Sequence, residues 1–481
     1  MIKTFIWGFD DIIARKAIFN LIKNGQIDLK KWFVGEHYKR EFADIDCAEY
    51  FFDEFVNNYS DLNLQVVPID VEEYIEKHAR ILAISFSRDM YFYGKPFYEL
   101  QNMIHIVTRY YYTLLYQYEA ELIMFGDVPH GGWMLLLYYV AEALGIRTLI
   151  CSHTRLENRF VYMFSLDDYG LYKGVPEYDS SEIDFHIEQK IENDWFDMDE
   201  AWLDEARHSG VKRKLRALLE TRKWLDERRD IIGANRLKYG TFERMVQKKL
   251  VEKIGRHIER NNYKEAYKKN VLENVDYNRP YVYYPLHLQP EMTTDTLGGI
   301  YCNQLLLLEH LSKLIPDDWV IYAKEHPLQT EYMRGEYFFK QLALLPKVHL
   351  VSNKIDTYEL NRHSQFVATL VGTTGWEAIS GGKNALVFGK AWYGALPGVF
   401  HYHEGITLDE IMNYKIDHGE FEKAVAKMMK KMGTGIISND SIPSVKNFDL
   451  DKNNKYIYDF LTFILSYIEK GDDVTIANCV R

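Results

Sequence analysis

Cysteine is scarce. The chain has four in 481 residues, Cys47, Cys151, Cys302 and Cys479, far apart and without a CxxC pair. That excludes a disulfide framework and a zinc ribbon, and makes a reducing compartment the expectation. Long apolar runs are absent too. The best stretch, Met134 to Ile150, contains Glu142 and Arg147, whereas a spanning helix needs about 20 mainly apolar residues. The N-terminus lacks the pattern of a signal peptide, because Asp10 and Asp11 follow Ile6-Trp7-Gly8-Phe9 directly. An excess of basic residues is missing: 58 Lys and Arg face 70 Asp and Glu, a net charge of −12. Nucleic-acid binding by the whole chain normally needs the opposite balance. GxxxxGK[ST], HExxH and GxSxG do not occur, and no GxGxxG follows the first apolar run. P-loop, zincin, α/β-hydrolase and dinucleotide redox chemistries lose their sequence support accordingly.

What is present is an ordinary globular composition, 47% hydrophobic and 27% charged, with aromatics high at 15%. Short apolar runs alternate with helical spacing. In the first third, strands are expected at Thr4–Phe9, Lys31–Gly35, Asn63–Ile69, Glu121–Phe125, Arg147–Ser152 and Phe160–Leu166. Helices are expected from Asp10/Asp11 to Asn24 and over Gly132–Leu144. From Arg279 the alternation resumes, with strands at Tyr281–Leu286, Trp319–Ala323, Val348–Ser352, Phe366–Val371 and Ala385–Phe388. The intervening helices fall at Thr296–Ile315, Thr357–His363 and from Gly375 to Ser380; 408–430 and 453–470 are helical in pattern. Strands separated by helices imply parallel pairing. The expected fold class is therefore α/β: two Rossmann-like doubly wound domains facing a cleft, joined by a helical segment.

The expected boundaries are 1–175 for an acceptor domain, 176–275 for a basic helical linker, 276–420 for a nucleotide-donor domain and 421–481 for closing helices. Residues 201–275 hold 20 Lys and Arg against 11 Asp and Glu, and no proline. Phe242, Val246, Leu250, Ile254 and Ile258 keep helical spacing. Two readings stand side by side: solvated linking helices, or a basic surface for an anionic membrane or acceptor. Most aromatics, such as Tyr110-Tyr111-Tyr112, read as core. Trp133, Trp376, Trp392 and Tyr393 are candidates for stacking on sugar or base faces.

Ligands of doubly wound sheets bind outside the carboxyl ends of the strands, so the loops there carry the chemistry. Lys324-Glu325-His326-Pro327 offers a cationic amine and an imidazole to a phosphate; an ordinary turn is the alternative. Val371-Gly372-Thr373-Thr374-Gly375-Trp376-Glu377 opens a helix. It is either an anion site built of hydroxyls and backbone N–H groups or a Thr374 N-cap with Glu377 completing a capping box. Glu377 is also a candidate for binding a ribose hydroxyl. Tyr284 to Glu291 places His287, Gln289 and Glu291 in alternation between prolines; they are candidates for binding the donor nucleotide, and a satisfied core histidine with a surface Gln and Glu is the alternative. On the first domain, Gly126-Asp127-Val128-Pro129-His130 and His153 with Arg155 provide candidate bases and acceptor-side groups. Asp127, His130 and His153 remain open as the base.

Three of these segments together resemble bacterial capsular and surface-polysaccharide biosynthesis proteins: Tyr283 to Glu291, Lys324-Glu325-His326-Pro327, and Gly372 to Ala378, with Phe388-Gly389 and Trp392-Tyr393 after them. The resemblance covers roughly residues 280–395 and extends more loosely to Pro129-His130. It implies a glycosyltransferase of GT-B type, related to capsule enzymes that transfer Kdo from CMP-Kdo. By that resemblance His326 contacts the nucleotide phosphate or ribose, Thr373 and Thr374 hold the phosphate, and Asp127 is the base of a metal-independent, inverting reaction. No metal and no cofactor is then expected. The expected partners are a nucleotide-sugar donor, CMP-linked by preference, and a saccharide or lipid-linked saccharide acceptor, with no nucleic acid. The expected location is cytoplasmic, with peripheral contact at the inner face of the cell membrane through 201–275. The competing readings are a polyol-phosphate transferase of CDP-glycerol type, a sugar-nucleotide epimerase, and a non-catalytic polysaccharide assembly factor.

Overall fold

A computed structural model describes residues 1–35, 38, 41–49, 63–87, 96–179, 181–191, 242–291, 293–331 and 334–470. The expected linker helices between 201 and 241 lie outside the described residues, as does Cys479. The other three cysteines are free thiols.

The chain begins with β1 (Ile2–Trp7), α1 (Ile12–Lys23), β2 (Ile27–Phe33) and β3 (Ala48–Glu49). Asp11 caps α1 by accepting the N–H of Ile13, the start the sequence marks. Next come α2 (Ile69–Lys77), α3 (Ala79–Ser87), α4 (Phe97–Gln117), β4 (Leu122–Phe125), α5 (Gly132–Ala143), β5 (Arg147–His153) and β6 (Arg159–Met163). After the long α6 (Phe242–Asn270) the second unit runs through β7 (Val271–Leu272), β8 (Tyr281–Pro285), α7 (Gln304–Leu314), β9 (Val320–Lys324), α8 (Glu336–Leu342), β10 (Val348–Val351) and α9 (Thr357–His363). It continues with β11 (Val367–Thr369), α10 (Thr373–Ser380), β12 (Ala385–Val387), β13 (Val399–His401), α11 (Leu408–Asn413) and α12 (His418–Met429). The chain then returns through β14 (Gly433–Thr434) and α13 (Leu450–Glu469).

Among the described residues there are two seven-stranded sheets, ordered β14-β6-β5-β4-β1-β2-β3 and β13-β12-β11-β8-β9-β10-β7. The second is parallel throughout; in the first only the β5–β6 and β6–β14 pairings are antiparallel. The expected pair of doubly wound sheets is borne out. Each sheet reverses its winding once, between β1 and β4 in the first and between β8 and β11 in the second. Those switch points are where a ligand crevice forms.

The closing helices do not stand apart. β14 pairs with β6, and α13 docks on α1, where buried Asn453 and Asn454 donate to the carbonyls of Ile13 and Ile12. The two units meet along a seam in which Tyr172 donates to the carbonyl of Trp392 (2.8 Å) and Lys390 pairs with Asp167. Gly170 (φ +74°) lies so close to Ala391 that a methyl group would overlap the carbonyl oxygen.

Four expectations need correction. Asn63–Ile69 is not a strand. Its backbone groups are satisfied by α4 side chains, with Arg109 donating to the carbonyls of Leu64 and Gln65 and the Thr113 hydroxyl accepting from Gln65 N–H. Thr296–Ile315 is not one helix. Gly298 abuts the Thr294 carbonyl, Gly299 takes φ +56°, and the regular helix starts only at Gln304. Residues 408–430 form two helices, α11 and α12, with Asp417 capping the second. Trp133, Trp376, Trp392 and Tyr393 are all buried. Trp376 packs on Trp392 with ring centroids 4.8 Å apart, so these aromatics build core rather than a stacking face.

Candidate functional site

The second sheet's switch point is organised by His287. It follows β8, and its Nε2 accepts from the Val371 N–H (3.3 Å) and faces the Thr369 hydroxyl (3.2 Å), both at the end of β11. An Nε2 that accepts a backbone N–H leaves the ring proton on Nδ1. Burial, with the charges of His326 and Arg334 adding to it, pushes the His287 pKa down to about 3. The ring is thus neutral and shapes the loop above it. Gly372 passes over it so closely that a Cβ would stand 2.7 Å from Nε2. Tyr393 holds the same loop from the other side, donating to the Gly372 carbonyl (2.5 Å).

Between these two rings α10 begins. Its N-cap is Gly372, and Thr373 and Thr374 are its first two residues. The capping-box alternative at Thr374 and Glu377 is therefore not formed, because the helix starts earlier. The first N–H groups of a helix point out along its axis and attract anions, and here they are flanked by the two threonines. Glu377 stands one turn further on. Its charge, after burial, raises the phenol of Tyr393.

Beside this loop lies a buried polar network. Arg334, 1% exposed, donates through Nε to Glu325 (3.2 Å), through one terminal nitrogen to Gln289 Oε1 (2.8 Å), and through the other to the His287 carbonyl (2.9 Å). Gln289 also binds the Cys302 carbonyl and receives Gln304 Nε2. Gln304 closes the circuit to Tyr284 and to the backbone of His287. Burial raises the Glu325 carboxyl despite the pull of Arg334. Gln289 is thus a framework residue among buried groups, and Glu291 caps the next turn by accepting from Thr293 N–H (2.8 Å) and its hydroxyl (2.5 Å). Arg334 and Gln304 escaped the sequence reading; neither belongs to a motif, and only the fold brings them to the β8 loop.

Lys324 and His326 part company. The Lys324 amine donates to the Ile355 carbonyl (2.6 Å) and the Thr357 hydroxyl (2.8 Å), both following β10. β10 lies on the side of β9 away from β8 and β11, so this amine is turned from Thr373 and Thr374. His326 is different. Its Nδ1 accepts from Leu328 N–H (3.2 Å), which puts the ring proton on Nε2, the kind of donor that suits a phosphate or ribose oxygen.

On the first sheet, Gly8 after β1 and Gly126 after β4 pack backbone to backbone; a Cβ on Gly126 would stand 2.7 Å from the Phe9 nitrogen. Asp127 follows at this switch point. Its Oδ1 accepts from its neighbour Val128 N–H (2.7 Å) and from the Ser152 hydroxyl (3.2 Å). Ser152 also bonds the buried Tyr169, whose phenol is raised by burial, then by the charge of Asp127, and further by Glu291 of the second unit. Tyr169 therefore stands between the two rims. His130 Nδ1 donates to the Val128 carbonyl (2.8 Å). His153 ends β5, and Arg155 follows in the β5–β6 turn. The structure thus groups Asp127, His130 and His153 on one rim, and His287, His326, Thr373 and Thr374 on the other. Among the described residues no cluster of three metal-ligating side chains occurs, and no helix is long and apolar enough to cross a membrane.

Two doubly wound sheets, each with candidate ligand loops at its switch point, define the architectural class. Residues 225–413 match the model of a family described as capsule polysaccharide biosynthesis protein, so the resemblance read from the three motifs is borne out over that segment. No curated protein matches the chain. Among solved structures it is similar to the beta Kdo 2,7 transferase KpsC of Thermosulfurimonas dismutans, at 12% identity and a TM-score of 0.25, over 42% of this chain and 62% of that one. The matched part thus spans less than two thirds of that protein. It is also similar to a UDP-GlcNAc 2-epimerase of Methanocaldococcus jannaschii, at 11% identity and a TM-score of 0.22, over 97% of this chain and 100% of that one. The calicheamicin glycosyltransferase CalG4 follows at 11% identity and a TM-score of 0.20, over 98% of this chain and 100% of that one.

Proposed function

We propose that the protein is a glycosyltransferase of capsular or surface polysaccharide assembly. It takes a sugar from a nucleotide-activated donor, CMP-linked by preference, and passes it to a saccharide acceptor. One observation carries this reading. The segment matched by the capsule family contains the three loops that converge at the second sheet's switch point, while the facing rim offers a carboxylate.

The donor phosphate sits over the start of α10, against the Thr373 and Thr374 hydroxyls and His326 Nε2–H. These groups meet the charge that develops on the departing nucleotide, the largest single demand of the reaction. No metal is needed for that step in this scheme. His287 acts beneath them as a positioning residue, with Arg334, Gln289 and Gln304 fixing its loop. Asp127 takes the proton from the acceptor hydroxyl as that oxygen attacks the anomeric carbon from the face opposite the nucleotide, so the configuration inverts. His130 is the second candidate for the base. His153 and Arg155 stand on the acceptor side. Lipid-linked acceptors and contact of the basic α6 with an anionic membrane face of the cytoplasm belong to the same proposal.

A donor screen by thermal shift tests it, with CMP-, UDP-, GDP- and CDP-linked compounds. A ligand that binds only the folded protein raises its melting temperature. A CMP-linked sugar should do so for the natural chain and not for His326→Ala. No shift with any compound, or a shift unchanged in His326→Ala, would remove the nucleotide site from the second sheet.

A further inference from the structure

A cavity lies away from the α10 loop, on the rim of the first sheet. It measures about 600 Å³ and is walled by the β5–β6 turn, residues 184–186, the end of β14 and the chain entering α13. Pockets that take small molecules span about 300–1,000 Å³. Its place follows from the strand register. His153, the last residue of β5, pairs with Phe160, and Thr434 of β14 pairs with Arg159. The cavity therefore opens at the carboxyl end of β5, the end from which Ser152 bonds Asp127.

The lining is balanced in charge. Glu157, Asp184 and Asp449 face Arg159, Lys446 and Lys452. Several of these are held in place. Arg159 bonds Thr434 (3.0 Å) and Asp179 (3.1 Å), Asp449 caps α13 through Lys452 N–H (2.8 Å), and Asp184 pairs with His186 (2.9 Å). Such a surface gives no net attraction to a phosphate or a nucleotide. It offers acceptors and donors side by side, which is what a chain of hydroxyl groups requires. Two half-buried aromatic rings, Phe448 and Tyr456, complete the wall, and the Lys452 ammonium lies 5.6 Å from the centre of the Tyr456 ring. Apolar ring faces beside paired donors and acceptors fit the alternating C–H and O–H faces of a sugar.

We infer that this cavity is a saccharide-binding subsite, for a hydroxyl-rich chain without strong net charge. Under the proposed transfer reaction it holds the acceptor chain behind the sugar that reaches Asp127; its role rests on that reading, its chemistry does not. Saturation-transfer NMR on the full chain tests it, with maltotetraose, cellotetraose and chitotetraose as neutral probes and tetragalacturonate and inorganic phosphate as anionic ones. At least one neutral tetrasaccharide should bind. Tyr456→Ala with Phe448→Ala should weaken that binding about tenfold or more, the loss expected from about one aromatic contact. Lys452→Met, which keeps the rings, should weaken it less and serves where the double variant does not fold. Binding of the anionic probes alone, binding of none, or binding unchanged in both variants overturns the subsite. The CMP-sugar thermal shift is read on the same samples: its absence alongside saccharide binding refutes the donor reading and leaves the subsite standing.

Discussion

Replacing Arg334 by Ala should unfold the second unit's site before it unfolds anything else. The guanidinium is 1% exposed, as is its partner Glu325. Removing one member of a buried ion pair leaves an uncompensated charge and costs roughly 3–5 kcal/mol. Two further acceptors, Gln289 Oε1 and the His287 carbonyl, lose a donor at 2.8 and 2.9 Å, and a buried unsatisfied group costs about 1–3 kcal/mol. Some of these losses overlap, so we expect about 4–6 kcal/mol at pH 7.5. The deficit depends on pH in a defined direction. Burial already raises the Glu325 carboxyl, and Arg334 lowers it; without Arg334 it rises further. Between the ordinary carboxylate value and that raised value the folded state holds a proton that the unfolded state has released. Stability of the variant then falls as pH rises, by up to about 1.4 kcal/mol per unit, and the deficit narrows on acidification. Urea unfolding at pH 5.5 and pH 7.5, followed by tryptophan fluorescence, measures both quantities. Arg334→Leu with Glu325→Leu should recover part of the loss, since no lone charge remains. A single variant within about 1 kcal/mol of the natural chain at pH 7.5, or a deficit that widens on acidification, refutes the reasoning.

His287 carries the opposite pH signature. Its folded pKa is about 3, so the unfolded chain takes a proton below about pH 6.5 that the folded one refuses, and stability falls with pH from there down towards 3 by up to about 1.4 kcal/mol per unit. His287→Gln should lose about one proton of that acid dependence in urea titrations between pH 6.5 and 4.5. Gly375→Ala drives a methyl group into the Tyr393 phenol oxygen; we expect a loss of about 1–3 kcal/mol and a smaller nucleotide thermal shift, both partly restored by Tyr393→Phe. Gly170→Ala, with φ +74° and the Ala391 carbonyl in its way, should open the seam between the units at about 2–4 kcal/mol, seen as a lower melting temperature and a larger radius in small-angle scattering.

The sheets were legible because a parallel strand covered on both faces is a short, almost wholly apolar run. Leu122–Phe125 and Tyr281–Tyr284 are buried at every position. Asn63–Ile69 imitates one superficially, yet Val66 is 85% exposed. Its backbone is claimed by Arg109 and Thr113, side chains some 45 residues away that no local pattern announces. The site divides the same way. Loops at strand ends, such as Asp127 and Thr373-Thr374, follow from the alternation alone. Which polar groups face a ligand and which merely hold a loop does not. His287, Gln289 and Lys324 look equally available in sequence, and only their partners at Val371, Arg334 and Thr357 show that they are engaged in building the frame. The tryptophans mislead for a related reason: proximity in sequence to a strand end says nothing about which side of it a ring occupies.

The most direct test of the account follows phosphorus. The protein is given a CMP-linked sugar and oligosaccharide acceptors, and the products are resolved by 31P NMR, with Asp127→Asn alongside. Sugar transfer leaves all phosphorus in released CMP and none in the glycan, and the variant, which still shows the donor thermal shift, is slower by about 10²–10⁴. Phosphorus appearing in the glycan, or CMP released equally by the variant, would contradict it.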